Sequence, residues 1–259
     1  MQCFAFAGNL FARGMDDFIF ATTSLVLAKD FLEQMHQGFP DYDCRIQSSK
    51  TSTNFQSDFQ KKPLLHFCGA VLNPKTLSCR PDLETYQGHN LVYASNLGMK
   101  FSQTISDFIK GKILFVATLN MKKLYLDSDL NGEENVLKNV FNTSYFTALK
   151  LHSLLASFYL APKKPLPPNP YLKLLILKVS AKIERFYVKV NNAKPDSLLI
   201  GKVVRFAFFH ALKCKYGSFY QNCKLPLVKK SDLPCKMLVK SLKDCATNKI
   251  KSYAFQKIV

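Results

Sequence analysis

Tryptophan is absent from this chain of 259 residues, and carboxylates are scarce: 18 Asp and Glu stand against 36 Lys and Arg. The formal net charge is therefore +18. The excess positive charges repel one another in a compact state unless a partner neutralises them, so the composition favours a polyanionic partner. The basic residues are scattered over many segments and do not gather on one amphipathic face, which favours a nucleic acid over a membrane surface.

The eight cysteines lack the spacing of a zinc site, since the chain has no CxxC pair and no CxxC followed by HxxxH. The five histidines are isolated in sequence and are expected to be ordinary core or surface imidazoles. No apolar run reaches the roughly 18 residues that a membrane-spanning helix requires. The N-terminal residues 1–4 have no basic region before their apolar positions, which is atypical of a signal peptide. These absences predict reduced thiols, in cytosol or nucleus, and no membrane partner.

The most informative segment is a pair of adjacent carboxylates, Asp16 and Asp17, between the apolar runs at residues 10–12 and 18–21. Short apolar runs around a polar pair are typical of a β-hairpin whose tight turn carries that pair. Such a turn holds two hard oxygen ligands out of the sheet, where a divalent cation can bridge them to phosphates. An ordinary solvated turn is the alternative for the pair taken alone.

Apolar periodicity predicts an α+β unit with antiparallel pairing over the first part of the chain. After the hairpin, the hydroxyl residues at 22–24 offer caps to a helix that Gly38 and Pro40 end. Further strands are predicted at residues 44–47, 64–72 and 77–79, the last two joined by a turn at residues 73–76.

From about residue 93 the apolar period changes from 2 to 3.6, which predicts an all-helical second unit. Helices are predicted at residues 101–116, 136–152, 171–191, 198–214 and 235–255, with a stiff proline-rich connector at 161–170. One of these helices carries a basic ladder, Lys173, Lys178, Lys182, Arg185 and Lys189. The ladder is either a solvated face or a surface for nucleic acid.

Four segments in order resemble those of the telomerase reverse transcriptase family. Residues 15–18 (MDDF) are similar to motif C, the catalytic aspartate pair, and residues 28–42 to the helix and loop after it. Residues 50–55 (KTSTNF) resemble motif D, and residues 67–72 (FCGAVL) resemble motif E, the primer grip. Beyond them, residues 106–127 and the residues from 169 onward are similar to the helical C-terminal extension, the thumb.

The resemblance implies an RNA-directed DNA polymerase, a nucleotidyltransferase that extends chromosome 3′ ends on an RNA template. Its fold would be an antiparallel palm remnant at residues 10–95 followed by a helical thumb at 96–259. The implied partners are telomerase RNA, a telomeric DNA primer, and the remaining palm, fingers and RNA-binding domains of a longer protein. The implied location is the nucleus, in a ribonucleoprotein at telomeres.

Site residues follow from the same resemblance. Asp16 and Asp17 would bind two Mg²⁺ ions, Asp16 more directly, and Lys50 would lie near the triphosphate and give a proton to pyrophosphate. The expected primer grip is Phe67, Cys68 and Gly69, and the expected contacts to the RNA–DNA duplex are Asn96, Gly98 and Lys100. The alternatives are a solvated loop lysine at position 50 and a buried strand at 67–69.

Two departures from the family pattern stand out. Gly14 occupies a position where the family usually has a bulky aliphatic residue, and Phe67 replaces the usual tryptophan. In addition, the motif with the third metal-binding aspartate and the fingers are not found upstream of residue 10. The chain is therefore expected to correspond to a C-terminal portion with an incomplete Mg²⁺ site, inactive by itself.

Two other functions remain open at this point. The chain alone would serve as a non-catalytic, basic, helical nucleic-acid-binding module if its palm is vestigial. A reverse transcriptase of mobile-element type is the other alternative, although the long helical extension beyond residue 72 argues against it.

Overall fold

The computed structural model describes residues 8–14, 16–83, 104–160, 167–192 and 197–214. The chain forms two compact units, one ending at Asp82 and the other beginning at Leu83. Short strands and one α-helix build the first unit, and α-helices build the second. The mixed, mostly helical architecture confirms the α+β prediction. The domain boundary expected at residues 95–96 lies outside the described residues.

The first unit opens with the expected hairpin. Strands β1 (Leu10–Gly14) and β2 (Asp17–Ala21) pair antiparallel, with Gly14 opposite Asp17. Asp16 thus lies in the connection between the strands, while Asp17 opens β2. The hairpin is short and its apolar side chains need a neighbouring element to cover them, because a two-stranded ribbon alone is marginally stable.

Helix α1 (Leu25–Gln37) supplies that cover. Ser24 Oγ accepts a hydrogen bond from Leu27 N at 3.4 Å, the N-cap expected from the hydroxyl cluster. The Phe31 ring stacks on Phe20 of β2, with 4.6 Å between centroids. Gly38 ends the helix with a φ of 80°, a left-handed conformation that favours glycine.

The remaining strands form two small sheets. Strands β3 (Ser52–Thr53) and β4 (Gln60–Lys61) pair in parallel, and β5 (Leu65–Phe67), β6 (Ala70–Leu72) and β7 (Cys79–Pro81) form an antiparallel sheet in that order. A partner strand does follow the turn at residues 73–76, but it is β7 at 79–81 and not the predicted 77–79, because Leu77 has a positive φ of 59°.

Two strand predictions are wrong. Residues 44–47 form only an isolated bridge, Phe39 to Cys44, because the 3₁₀ turn Pro40–Tyr42 and a left-handed Asp43 fold the chain back there. Residues 64–72 are two strands, since Cys68 and Gly69 both adopt positive φ and reverse the chain.

The second unit is helical, as the change of period predicts. Its helices are α2 (Ile105–Asn120), α3 (Lys123–Leu126), α4 (Ser128–Asn131), α5 (Glu133–Leu155), α6 (Asn169–Asn191) and α7 (Ser197–Phe209). Helices α5 and α7 each continue into a π-helical turn, Ala156–Leu160 and His210–Cys214. The predicted helix at 235–255 and residues 161–166 of the proline-rich connector lie outside the described residues.

Helix α5 is the centre of this unit. It packs against α2 and α7, and α6 packs against α2 and α7 in turn. Fifteen of its side chains are buried, five of them polar, so α5 is enclosed on most of its circumference. No helix among the described residues is long and apolar enough to cross a membrane.

Candidate functional site

Two predicted site segments, 51 residues apart in sequence, lie in direct contact in the first unit. The Cys68 backbone N–H donates a hydrogen bond to Asp17 Oδ2 at 3.3 Å. Cys68 Sγ lies 3.8 Å from Gly14 O, on the opposite side of the hairpin connection. The fold therefore joins the aspartate hairpin to the turn at Cys68 and Gly69, a proximity that motif order alone does not establish.

Gly14 has a steric reason to be glycine. A Cβ placed at position 14 would overlap Cys68 Sγ, and it would lie 3.8 Å from Cζ of the Phe67 ring. Glycine at this position, in place of a bulky aliphatic residue, thus allows the β5–β6 turn to pack closely against β1. Sequence inspection identified Gly14 as unusual but not as the residue that admits Cys68.

This packing predicts a non-additive pair of substitutions. Gly14→Ala is expected to lower the free energy of unfolding by about 1–3 kcal/mol, because the new methyl group displaces Cys68 Sγ. Cys68→Ala removes that sulfur while it keeps the backbone donor to Asp17, so the double variant should recover most of the loss. Urea unfolding of the four proteins gives the coupling energy.

The matched control is Gly111→Ala in α2, where a Cβ meets no atom within 4 Å. Alanine there is expected to raise stability by up to about 1 kcal/mol, the usual helix-interior preference over glycine. Additive effects of Gly14→Ala and Cys68→Ala would contradict the steric account.

The turn that carries Cys68 is held from both sides. Cys68 and Gly69 have φ values of 46° and 73°, the positive pair found in type I′ hairpin turns. Gly69 O accepts a hydrogen bond from Asp82 N at 3.0 Å. The Cys68 N–H is consequently directed at Asp17, and the half-buried Phe67 ring lies beside the same hairpin.

A His–Asp pair supports this turn. His66 Nδ1 and Asp82 Oδ2 are 2.7 Å apart; the Asp82 side chain is 7% exposed and that of His66 is 45% exposed. Asp82 therefore anchors both the His66 imidazole and the Gly69 carbonyl. Sequence reasoning missed the pair, because 16 residues separate its members and only the β5–β6–β7 register brings them together.

Lys50 lies exposed at the end of a 3₁₀ turn, Ser48–Lys50. The adjacent Thr51 hydroxyl is 3.0 Å from Nε2 of His36 in α1, and the His36 ring stacks on Phe59 at 4.1 Å between centroids. These contacts fasten the Lys50 loop to α1. No described contact joins Lys50 itself to Asp16 or Asp17. Asn96, Gly98 and Lys100 lie outside the described residues.

The carboxylates of Asp16 and Asp17 are both exposed. Hard carboxylate oxygens are the ligands that Mg²⁺ prefers, so the donor chemistry of this pair fits that ion. Mg²⁺ takes six oxygens, however, and no group of three or more His, Cys, Asp or Glu side chains suited to a metal exists within the described parts of the chain.

Comparison with known proteins identifies similar chains. No family model matches. The chain is 28% identical over 235 residues to the telomerase reverse transcriptase of Canis lupus familiaris, covering 82% of this chain and 20% of that protein. It is 25% identical over 192 residues to that of Bos taurus, covering 70% and 17%. The rice protein (Oryza sativa subsp. japonica) is 25% identical over 168 residues.

A solved structure supports the fold. The telomerase from Candida albicans, in complex with a TWJ fragment of telomeric RNA, superposes with a TM-score of 0.54 at 19% identity, covering 85% of this chain and 30% of that one. The resemblance found in the motifs is thus confirmed over most of the chain. The chain spans about a fifth or less of the length of the curated relatives named here.

Proposed function

We propose that this chain, which is similar over most of its length to telomerase reverse transcriptases, is the C-terminal portion of a telomerase catalytic subunit. The whole protein would be an RNA-directed DNA polymerase that extends chromosome 3′ ends in the nucleus. The first unit would be the end of the palm, and the second unit the thumb. The observation that carries the proposal is the contact between the aspartate hairpin and the Cys68 turn.

Asp16 and Asp17 would hold Mg²⁺ in this enzyme, with a third carboxylate supplied from outside residues 10–259. When bound, the ions lower the pKa of the primer 3′-oxygen and neutralise the departing pyrophosphate. The Cys68 N–H engages one oxygen of Asp17 and so restrains the rotation of that carboxylate. Asp16, in the connection, makes no such contact to Cys68 and is the more direct ligand in this proposal.

Lys50 would act on the triphosphate. Its ammonium group balances phosphate charge and offers a proton to the leaving pyrophosphate. The Thr51–His36 contact supports the role, since it holds the exposed Lys50 loop against α1. Lys50 remains a solvated loop lysine if the triphosphate does not reach it.

The primer terminus would rest against the β5–β6 turn. Gly69 there presents bare backbone with no Cβ, and Phe67 an aromatic ring edge. The RNA–DNA duplex beyond the terminus would meet the segment that contains Asn96, Gly98 and Lys100. Phosphates and 2′-hydroxyls of such an A-like duplex suit lysine, amide and backbone N–H donors. Telomerase RNA and a telomeric DNA primer are accordingly the proposed partners.

A non-catalytic, basic nucleic-acid-binding module is the second candidate function. The formal charge of +18 favours it, as does the limited set of two carboxylates in the hairpin. The two functions are compatible, because the polymerase function describes the longer protein and the binding function describes this chain alone.

Primer extension separates them. The purified 259-residue chain with Mg²⁺ and all four nucleotides is expected to add no nucleotide to a primer. A missing metal ligand and missing triphosphate contacts each cost several kcal/mol of transition-state stabilisation. Joined in one polypeptide to the palm, fingers and RNA-binding domains of a telomerase relative, with template RNA, the same chain should support extension. Extension by the short chain alone would contradict the incomplete metal site, and an inactive, folded assembly would favour the binding module.

A further inference from the structure

Helix α6 presents a line of four exposed cations. Lys178, Lys182, Arg185 and Lys189 follow one another at intervals of four, three and four residues, and all four are exposed. At 100° per residue, these positions fall within about 60° of one another around the helix axis. We call these four residues the α6 basic stripe. Lys173 of the sequence ladder is not a member, because it lies about 140° from Lys178.

The helix beneath the stripe is firmly placed in the second unit. The buried face of α6 is centred about 100° around the helix axis from the stripe and consists of Leu172, Leu175, Ile176, Val179 and Ile183. At its N-terminal end, Tyr171 Oη donates to Ser106 O of α2 at 2.6 Å. At the C-terminal end, Asn191 Nδ2 donates to Leu126 O at 2.9 Å, and Asn191 Oδ1 accepts from Ser128 N at 2.9 Å. The four cations therefore project from a fixed surface.

Repulsion between the cations of the stripe destabilises α6 when no anion is bound. Lys178 with Lys182, and Arg185 with Lys189, are like-charge pairs at i,i+4, which destabilise a helix. Glu184 is the acidic residue of α6, and its carboxylate lies near Ser180 Oγ (3.2 Å) and Arg205 (3.9 Å) instead of the stripe. None of the four cations forms an ion pair within the described ranges, so an external anion would relieve the repulsion.

We propose that the α6 basic stripe binds the phosphate backbone of a nucleic acid, separately from the segment at Asn96, Gly98 and Lys100. Lys178 and Lys189 are eleven residues apart, which is about 16 Å along the helix axis. A strand of B-form DNA presents one phosphate per about 3.4 Å of helix axis, so on that scale the stripe spans about five phosphates with four cations. Such contacts position a duplex without reading its sequence. The choice of an RNA–DNA duplex as partner rests on the proposed function.

Nucleic acid fits this surface better than an acidic protein does. A helix-borne row of cations at intervals of about 4.5–6 Å can place one cation against every one or two phosphates of a strand. The excess of positive charge also extends well beyond these four residues, to a formal +18 for the chain, which favours an extended polyanion. The four exposed side chains also include no aromatic platform, so the contact expected is with backbone phosphate and not with stacked bases.

The test uses the full 259-residue chain and a labelled, mixed-sequence RNA–DNA duplex. The stripe variant combines Lys178→Gln, Lys182→Gln, Arg185→Gln and Lys189→Gln. A dispersed variant removes the same number of charges from exposed lysines on other elements, Lys29→Gln, Lys61→Gln, Lys75→Gln and Lys123→Gln. Affinity is measured for each protein by fluorescence anisotropy at several salt concentrations, and circular dichroism confirms that the helices are retained.

The stripe variant is expected to bind about 100- to 1,000-fold more weakly at 0.1 M salt, with a log–log salt slope shallower by about 3 to 4, because each phosphate contact releases counterions. The dispersed variant should lose less than about tenfold, through net charge alone. Within α6, Lys182→Gln should reduce the slope by about 1 and Lys173→Gln should leave it unchanged.

Three results would overturn the inference: no duplex binding by the parent chain, equal losses in the stripe and dispersed variants, or stripe-dependent binding to polyglutamate in place of the duplex. Each leaves the primer-extension test of the proposed function undecided. If the joined protein extends a primer but the stripe and dispersed variants lose equal affinity, phosphate binding by the stripe is rejected and the polymerase function is retained. If duplex binding depends on the stripe but the joined protein does not extend a primer, phosphate binding by the stripe is retained and the polymerase function is rejected.

Discussion

Asp16→Ala is expected to lower the rate of primer extension by at least about 10³-fold in the polypeptide that joins this chain to the remaining polymerase domains, a loss of about 4 kcal/mol of transition-state stabilisation. Under the proposed function, only one carboxylate would then remain in the hairpin to hold Mg²⁺ for the attack of the 3′-oxygen. Single-turnover extension of a DNA primer on template RNA measures the effect.

Loss of folding does not explain such a result. Asp16 is exposed in the hairpin connection, and its replacement should change the free energy of unfolding by no more than about 0.5 kcal/mol. The matched control is Asp30→Ala, an exposed carboxylate of α1 whose loss should leave extension within about twofold. An active Asp16→Ala enzyme would show that the hairpin is not the metal site.

Asp17 offers a graded comparison within the same experiment. Asp17→Asn keeps an oxygen that accepts from the Cys68 N–H and removes the charge, whereas Asp17→Ala removes both. If the Cys68 contact matters only for holding the hairpin against the β5–β6 turn, Asp17→Asn should retain the stability of the parent and lose activity. Asp17→Ala should lower both the stability and the activity.

Phe108→Ala is expected to destabilise the helical unit by about 3–5 kcal/mol, the usual cost of truncating a buried phenylalanine. Phe108 is 2% exposed in α2, and its ring meets Phe158 edge to face at 5.6 Å between centroids. Truncation leaves a cavity in the core that joins α2 to α5 and α6. Because the chain has no tryptophan, urea unfolding is followed by circular dichroism of the helices.

Phe115→Ala is the control on the same helix. Phe115 is 60% exposed, so its truncation should shift the unfolding free energy by no more than about 0.5 kcal/mol. Equal effects of the two substitutions would mean that α2 does not pack in the orientation described.

Elements governed by local patterns were predictable from the sequence. The hairpin at residues 10–21, α1 with its Ser24 cap, and the four long helices of the second unit each follow from apolar periodicity and capping chemistry. The strand prediction at residues 44–47 was wrong because a short alternation of apolar and polar residues also occurs in irregular segments. The split of residues 64–72 was missed because positive φ at Cys68 carries little signal in a non-glycine residue.

The candidate site divides in the same way. Motif resemblance named Asp16, Asp17, Lys50 and the segment Phe67, Cys68 and Gly69, and it recorded Gly14 as a departure from the family pattern. Only the tertiary structure shows that Gly14 makes room for Cys68 Sγ, that the Cys68 N–H reaches Asp17, and that Asp82 supports the same turn through His66 and Gly69.

The physical reason is the range over which each interaction acts. Periodicity, caps and turn residues depend on neighbours within a few positions, so the linear sequence of this chain determines its helices, its hairpin and the excess of positive charge. Contacts between Gly14 and Cys68, or between His66 and Asp82, depend on strand register and packing. Likewise, the α6 basic stripe emerges from the lysine ladder only when the buried face of α6 is known, since burial decides which cations remain exposed together.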